Sequence, residues 1–412
     1  MTRRTFLGTA VLSAAGCVTG GLKAGAQYGG WARGHFQIHF IYTGAGESLF
    51  LIFPDGTTML LDCGDFAAGA RGDLALPLLP NDSLHAGEWI ARYVRRVNPN
   101  GSDVDYLLAS HFHRDHVGTC QWYRDIVRHG NRDYYLSGFA LAAETLNFRT
   151  ALDRTGGRFD THELFEPSEN HIPYLMDCLY GHLRARDGLS VEKFRVGATD
   201  QIVCRRGGAA GFSVRNVCAN GRLALPDGMI IDVIRRGGKM PWFWNENHLS
   251  CGNVFSYGKF RFFTAGDFSG PAMDAQGETF WPEEELARVL DAPVSVAKVN
   301  HHGFKSMPDS LLRKMCAKVY PVCTWDVLHL TDDCLARFAD PQNVTPDTVL
   351  VPGCFGTVRR TAANAAGRKL FPEPVYAGAH TVVDVPSGGE TFTLTLLDAR
   401  DEDMRIVDER RF

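Results

Sequence analysis

The stretch that most constrains the fold of this chain is residues 110–118, which read S-H-F-H-R-D-H-V-G. It follows the apolar run Y-L-L-A, which predicts a short buried strand, so its polar side chains are expected where a strand ends and a loop begins. In near-extended backbone alternate residues face the same way, so His111 and His113 can reach one point while Asp115 and His116 serve a neighbouring one. Imidazole and carboxylate groups at this density predict a metal site suited to zinc, and also to manganese or iron.

The length and composition favour a soluble globular protein. The 412 residues allow one large domain or two to three ordinary ones, and no repeat, low-complexity tract or linker divides them. A hydrophobic content of 45% and a charged content of 22% are typical of a chain with a sizeable core. The net charge of −4 gives no global basic field for binding nucleic acid. No apolar run after the N-terminus approaches the roughly 20 residues of a membrane-spanning helix.

The N-terminus has the layout of an export signal. It reads M-T-R-R-T-F-L-G, with Arg3 and Arg4 before an apolar stretch, and residues 24–26 (A-G-A) offer a cleavage site before Gln27. The pattern resembles a twin-arginine signal, so residues 1–26 are expected to be a signal peptide. The Tat translocase would then be a partner during export, and the mature protein would be periplasmic or extracellular. An uncleaved amphipathic leader is the alternative, and a lipoprotein cleavage site at Cys17 ranks lower.

The cysteines indicate neither a zinc ribbon nor a thioredoxin-like site. Of the eleven, all but Cys17 lie after residue 26, and none forms a C-x-x-C pair. In an exported protein some cysteines could form disulfides. Cys204 and Cys218 flank a predicted hairpin at residues 205–217 and are the favoured pair. The segment from residue 120 to 200 is interpreted as mostly helical or irregular, an insertion that shapes the substrate pocket.

Polar residues follow three other apolar runs in the same way. Asp62 closes the predicted strand at residues 57–61, Asp267 follows residues 259–264, and the pair His301 and His302 follows residues 294–299. Taken singly, each aspartate is an ordinary turn residue at the end of a strand. In sheet-based folds, however, the loops at one edge are where active sites are usually assembled. In this order and together with the histidine stretch, they are interpreted as one set of ligands.

Taken together, these motifs resemble those of a known protein family. H-F-H-R-D-H, preceded by L-L-D-C-G-D and followed by T-A-G-D and V-N-H-H-G, resembles the metallo-β-lactamase superfamily over residues 37–303. The segment Y-T-G-A-G-E-S-L, residues 247–267 and the H-H-G turn are also similar to the metallo-hydrolase domain of the DNA-uptake protein ComEC and to choline-phosphate esterases of cell-wall teichoic acid. The resemblance implies an α/β fold, a four-layer αβ/βα sandwich of two mixed sheets packed face to face with helices outside. The domain would span residues 35–400.

The resemblance also assigns roles to residues. The two-metal site that it implies, at the shared edge of the sheets, would be held by His111, His113, Asp115, His116, Asp267 and His302. The first two would bind one zinc ion, the next two a second, and Asp267 would bridge the ions. His301, next to the final ligand, would be left to contact substrate. Asp62 would orient the ligand histidines, a role whose loss changes metal affinity by about tenfold or more.

One ligand is missing from the pattern. Members of the superfamily usually supply a further histidine to the first metal, between the first cluster and Asp267. His162, His171 and His248 all qualify loosely, and ComEC-like members often lack this residue. The third ligand and the occupancy of the first site therefore stay open.

Two metals close together lower the pKa of a shared water and polarise the oxygen of a substrate, so that hydroxide can attack carbonyl carbon or phosphorus. Asp115 could act as the general base. Lys305 could neutralise a phosphate, or it could be a solvated loop lysine. His329 could lie near the pocket, although a surface or core position is favoured for it.

The function predicted from these features is that of an exported metal-dependent hydrolase. Its substrate would be a phosphodiester or phosphomonoester, in a small molecule or at the end of a polymer. A lactone or β-lactam hydrolase with the same metal site is one alternative. A metal-stabilised envelope binding protein without catalysis is another, and the intact Asp115 and Asp267 argue against it.

Overall fold

The fold is built on two large mixed β-sheets. The computed structural model of the chain describes residues 24–65, 72–118, 126–129, 132–159, 171–235, 244–355, 370–372 and 377–412, with backbone alone for residues 126–129, 132–135 and 171. Most of the predicted signal peptide, and His162, lie outside the described residues. In chain order the strands are β1 (Phe36–Phe40), β2 (Leu49–Ile52), β3 (Thr58–Leu61), β4 (Asp103–Leu108), β5 (Ile126–His129), β6 (Arg132–Tyr135), β7 (Asn147–Asp153), β8 (Ser190–Lys193), β9 (Phe212–Ala219), β10 (Arg222–Ala224), β11 (Ile230–Asp232), β12 (Gly252–Tyr257), β13 (Phe260–Thr264), β14 (Ala272–Met273), β15 (Thr279–Phe280), β16 (Val296–Ala297), β17 (Val319–Val322), β18 (Val349–Pro352), β19 (Ala379–Val385), β20 (Thr393–Asp398) and β21 (Ile406–Arg411).

The two sheets combine antiparallel hairpins with a block of parallel strands. The first sheet has nine strands in the order β21-β20-β19-β1-β2-β3-β4-β7-β8, and the second has eight in the order β11-β10-β9-β12-β13-β16-β17-β18. In the first sheet β3, β4, β7 and β8 run parallel to one another, and in the second β13, β16, β17 and β18 do. Two small hairpins, β5–β6 and β14–β15, stand apart from the sheets.

Helices cover the outer faces of the sheets. The α-helices are α1 (Ala86–Val97), α2 (Arg114–Val117), α3 (Phe139–Ala143), α4 (His171–Asp187), α5 (Asp309–Met315) and α6 (Asp332–Ala339). Apolar residues of α1, α3 and α4 join one core with the outer face of the first sheet. The core between the sheets extends to α5 and α6 beside the second sheet, where the Tyr320 ring packs edge-on against Phe338 of α6, with ring centroids 5.0 Å apart.

Aromatic side chains fill the space between the sheets. Phe36 of β1 lies 5.1 Å from the Phe212 ring of β9 and 5.9 Å from the Phe255 ring of β12, measured between centroids. Phe40 meets Phe262 edge-on at 5.9 Å. Such pairs add about 0.5–1.5 kcal/mol each beyond the area that they bury. Contacts between aromatic rings therefore stabilise the packing of the two sheets against each other.

The predicted four-layer αβ/βα sandwich is confirmed. The segment from residue 120 to 200 is less irregular than expected, because it supplies β7 and β8 to the first sheet. β21 also extends that sheet beyond residue 400. Within the described residues no helix has the length and apolar character needed to cross a bilayer.

The hairpin predicted at residues 205–217 is wrong in its first half. The backbone N–H groups of Arg205 and Arg206 donate to the Thr57 hydroxyl and the Asp55 carboxylate, each at 2.6 Å, so this segment is bound to a neighbouring turn instead of a strand. Cys204 and Cys218 are both free thiols, so the favoured disulfide is also wrong.

Candidate metal centre

The site lies where parallel strands of both sheets end at a shared edge. Asp62 follows β3, and the stretch from His111 follows β4, its parallel neighbour in the first sheet. Asp267 follows β13, and His302 lies beyond β16, its parallel neighbour in the second sheet. The four clusters that the sequence placed at strand ends are thus brought to one edge by two pairs of parallel strands.

The loop before β2 fixes the position of the histidine stretch. The backbone N–H of Glu47 donates to the carbonyl oxygen of Asp115 at 2.7 Å. A Cβ atom on Gly64 would lie only 1.9 Å from the same oxygen, so this approach requires glycine. The following turn, α2, presents Asp115 and His116 inward, and both are buried.

Hydrogen bonds set the orientation of two buried histidines, His116 and His302. Asp62 accepts Nδ1–H of His116 at 2.8 Å and also binds the backbone N–H and the hydroxyl of Ser110 at 2.7 and 2.6 Å. The carbonyl oxygen of Cys323 accepts Nδ1–H of His302 at 2.7 Å. In the neutral form of both rings the Nε2 atom is therefore the one with a lone pair for a metal ion, and Asp62 is the hydrogen-bond acceptor for one of the predicted ligand histidines.

Four potential ligand atoms converge at this point. Nε2 of His116 lies 3.0 Å from Oδ2 of Asp267 and 3.6 Å from Oδ2 of Asp115. Nε2 of His302 lies 3.1 Å from each of the same two oxygens. A tetrahedral zinc ion bound at about 2.0–2.1 Å would separate its ligands by about 3.3 Å, which lies within this spread of distances. Acceptor atoms so placed repel one another unless a cation lies between them, so the donor set fits a metal ion.

The nearby carboxylates raise the pKa values of the two histidines. Burial lowers the pKa of His116 and His302, but the carboxylates of Asp267 and Asp115 outweigh it. The pKa of His116 therefore lies well above its usual value, and that of His302 rises to about 9. In the metal-free chain at neutral pH, a proton is held where a metal ion would bind.

A pH-dependent loss of stability is expected for the metal-free protein. Because the pKa of His302 is raised from 6.5 to about 9 in the folded chain, its contribution to stability is complete below pH 6.5 and is lost as the pH rises through about 9. Urea unfolding in the presence of chelator should show this decline. Zinc-loaded protein is the control. Its other titratable groups, such as the buried thiols, are the same, but histidines bound to zinc cannot take up a proton. Equal pH profiles for the two forms would contradict the expectation.

The predicted first metal position is less complete. Nδ1–H of His111 donates to the Ser110 hydroxyl at 3.0 Å, and its Nε2 lies 3.1 Å from Nδ1 of His113. Of the candidate third ligands, His248 accepts the backbone N–H of Asn245 through its Nδ1 at 3.2 Å, and His171 begins α4 with its side chain outside the described part. The structure thus brings together one nitrogen of His111 and one of His113, and the described residues do not identify a third histidine ligand for this position.

A buried ion pair next to the site was not predicted. Among the described residues, one group of potential ligands has all its ligand atoms within 4.8 Å of one another: Glu47, His116, Asp267 and His302. Glu47, however, accepts Nζ–H of Lys298 at 2.7 Å, and both side chains are fully buried. Its charge is therefore already balanced, which favours Asp115 over Glu47 as the fourth ligand. The available sequence signal was Lys298 itself, a lone cation within the apolar run V-S-V-A-K-V, which must find a partner when buried.

Lys298 also faces the metal ligands. Its Nζ lies 3.7 Å from Oδ1 of Asp267, an oxygen that is buried and makes no hydrogen bond among the described residues. The other oxygen of Asp267 is the one that faces both histidines. The ammonium group thus lies on the side of this carboxylate that points away from the metal position.

The remaining predicted residues lie around the site. His301 has partners at both ring nitrogens, the Asn247 amide at 3.1 Å and the Ser269 hydroxyl at 2.9 Å. Lys305 is exposed, with its Nζ 5.5 Å from the centre of the Phe304 ring. His329 stacks on the ring of His302 at 4.7 Å, so it lies beside the site although a position elsewhere was favoured.

A tryptophan that the sequence did not single out completes the surroundings. The indole N–H of Trp325 points at Nε2 of His302, with the two nitrogens 3.2 Å apart. The rings meet edge-on, with centroids 5.5 Å apart. Trp325 follows β17, so a third loop of the second sheet reaches the site.

Comparison with known proteins agrees with this geometry. Residues 42–165 match the family model described as the metallo-beta-lactamase superfamily, a range that includes Asp62 and the histidine stretch. No curated protein matches the chain. Members of this superfamily are typically metal-dependent hydrolases, and the second half of the chain supplies Asp267 and His302 to the same cluster. Residues 42–165 are therefore similar to the metallo-β-lactamase superfamily, and with the ligand cluster they indicate that the chain is a metal-dependent hydrolase.

Proposed function

We propose that the protein is an exported phosphoesterase that uses zinc, with manganese or iron as alternatives. The observation that supports metal-dependent chemistry most directly is the convergence of four lone-pair donors on one point. When bound, a metal ion there would polarise the substrate oxygen and lower the pKa of a water molecule. The proposal places one ion among Asp115, His116, Asp267 and His302, and a second, less complete position at His111 and His113.

In this proposal Asp115 accepts the proton of the attacking water. Its side chain is 12% exposed, against 2% or less for the other three members of the cluster, so it has the best access to solvent and substrate. Burial raises the pKa of Asp115, but His116 and His302 outweigh it and hold that pKa well below its usual range. The carboxylate is therefore ionised and able to accept a proton.

The phosphoester assignment rests on the surroundings of the cluster. Lys305 is exposed three residues after His302 and could approach a phosphate group. The resemblance of the H-H-G turn and its flanks to ComEC-like and choline-phosphate esterase domains supports the same class of substrate. Export is proposed from the paired arginines and the cleavage pattern near residue 26.

Zinc-loaded protein is expected to hydrolyse bis-p-nitrophenyl phosphate or p-nitrophenyl phosphate, and chelator should abolish the turnover. Parallel assays with nitrocefin and an aromatic lactone separate this activity from β-lactamase and lactonase activity. An Asp115→Asn variant should lose turnover while its fold, followed by circular dichroism, persists. Absence of chelator-sensitive turnover on both phosphate esters would contradict the proposal.

A further inference from the structure

The loop at residues 300–307 presents His302 to the metal position through a strained backbone. Four of its residues with side chains have positive φ angles, of 45°, 52°, 49° and 62°: His301, His302, Lys305 and Met307. Residues other than glycine rarely adopt this left-handed conformation, and it persists only where the surrounding contacts determine it. The place of His302 in the ligand cluster therefore depends on the contacts that hold this loop closed.

A single carboxyl oxygen binds both ends of the loop. Oε1 of Glu283 accepts the backbone N–H of Met307 at 2.9 Å and the side-chain amide N–H of Asn300 at 3.0 Å. Glu283 belongs to a 3-10 helix, Pro282–Val289, outside the loop. All three residues are fully buried, so loss of this acceptor would leave two donors where water cannot readily replace it.

The other side-chain contacts at the base of the loop are internal or act on one end. The Ser306 hydroxyl donates to the carbonyl oxygen of Asn300 at 2.7 Å, within the loop itself. The guanidinium of Arg337, in α6, donates to the carbonyl oxygens of Ser306 and Met307 at 2.8 and 3.0 Å, both at the second end. Within the described part of the chain, Glu283 is thus the side chain outside the loop that binds both of its ends.

His302 lies between those two ends. The bond from its Nδ1–H to the carbonyl oxygen of Cys323 sets the rotation of the ring, and a backbone bond from Leu330 at 3.1 Å holds its carbonyl group. We infer that Glu283 is a positioning residue that closes the 300–307 loop and so holds Nε2 of His302 at the metal position. The inference rests on the metal centre of the proposed function, and Glu283 acts there through the loop, not as a ligand.

The protonation state of Glu283 offers a closely matched variant. Burial raises the pKa of Glu283 to about 8 and outweighs its hydrogen bonds and the nearby charge of Arg337, which lower that pKa. The group is therefore mostly a neutral carboxylic acid at pH 7. Glu283→Gln keeps the shape, the neutral charge and the acceptor oxygen, whereas Glu283→Met keeps the length and removes the acceptor.

The test compares these two variants with Asp105→Leu. Asp105 is likewise a buried carboxylate that accepts a backbone N–H, that of Thr58 at 2.9 Å. It lies in the first half of β4, away from the end at which the histidine stretch begins, so it is a matched control. For each protein we would measure the dissociation constant for zinc, the visible absorption spectrum of the cobalt-loaded form, and urea unfolding in the presence of chelator.

Glu283→Met is expected to weaken zinc binding by about 10–100-fold, the usual effect of losing a residue that orients a metal ligand. Its cobalt spectrum should also change, because the position of one ligand changes. Glu283→Gln should match the wild type in both measurements. Asp105→Leu should unfold at a lower urea concentration, yet bind zinc and cobalt as the wild type does.

Three results would overturn the inference. The first is wild-type zinc affinity with an unchanged cobalt spectrum in Glu283→Met. The second is an equal loss in Glu283→Gln, because the acceptor oxygen would then not matter. The third is an equal loss of zinc affinity in Asp105→Leu, because lower stability alone would then account for it. If Glu283→Met does not fold, Glu283→Asp supplies the comparison, since its shorter side chain draws the acceptor oxygen away from both donors.

Failure of the proposed function would look different, because neither zinc affinity nor the cobalt spectrum requires a substrate. If wild-type protein bound zinc but cleaved neither phosphate ester, the phosphoesterase proposal would fail, and the metal measurements would still decide the role of Glu283. If wild-type protein bound neither zinc nor cobalt, the inference would be overturned together with the metal centre.

Discussion

Replacing Asp267 by alanine should remove both the metal and the activity. This carboxylate lies 3.0 Å from Nε2 of His116 and 3.1 Å from Nε2 of His302, so it approaches the two histidines more closely than Asp115 does, at 3.6 and 3.1 Å. Loss of a residue that only hydrogen-bonds a metal ligand typically weakens metal binding by about 10–100-fold. Loss of a ligand itself should weaken zinc binding by more than this. Because a bound metal ion typically stabilises the transition state by several kcal/mol, turnover should fall by at least about 10³-fold.

Zinc content of the purified variant and its dissociation constant for zinc are the direct measurements. Asp227→Ala is a suitable control, since Asp227 is an exposed aspartate in a turn, and it should match the wild type. If Asp267→Ala retained one zinc ion with wild-type affinity, Asp267 would be excluded from the metal centre.

The Lys298→Met variant should lose about 3–5 kcal/mol of stability, the usual effect of leaving one partner of a buried ion pair without the other. Glu47 would remain fully buried, with its carboxylate beside that of Asp267. The double variant Lys298→Met/Glu47→Gln should recover most of the loss, because neither charge is then present.

Urea unfolding in the presence of chelator measures these stabilities without a contribution from metal binding. Lys259→Met is the matched control, because Lys259 forms its ion pair with Glu390 on the exposed surface at 2.8 Å and should change stability little. A double variant as unstable as Lys298→Met alone would mean that Lys298 acts through packing or through Asp267, and not through Glu47.

Much of the cluster could be predicted because its signals are local. Asp62, Asp267 and His302 each follow an apolar strand within a few residues, and the histidine stretch carries its own spacing. Parallel neighbours in a sheet bring such strand ends to one edge, so the sequence order alone indicated a common site. The sandwich itself was expected from the resemblance of these same motifs.

The parts that were missed depend on contacts between distant segments. Glu47 and Lys298 are 251 residues apart, and neither has a local partner that would reveal the pair. Trp325 reaches His302 through the path of the loop after β17, which no short motif describes. The disulfide prediction failed for a related reason. It assumed a hairpin after Cys204, but the backbone there donates hydrogen bonds to the side chains of Thr57 and Asp55 instead of to a partner strand.

The location of the cluster between the two sheets makes a bound ion a reversible cross-link. His116 comes from the first sheet and Asp267 from the second, 151 positions later in the chain, so one ion would close a long loop of polypeptide. Only the folded chain presents all four ligands together, so ion binding adds to the free energy of unfolding by mass action. The concentration of metal available where the chain folds would therefore set part of its resistance to unfolding, as well as its activity.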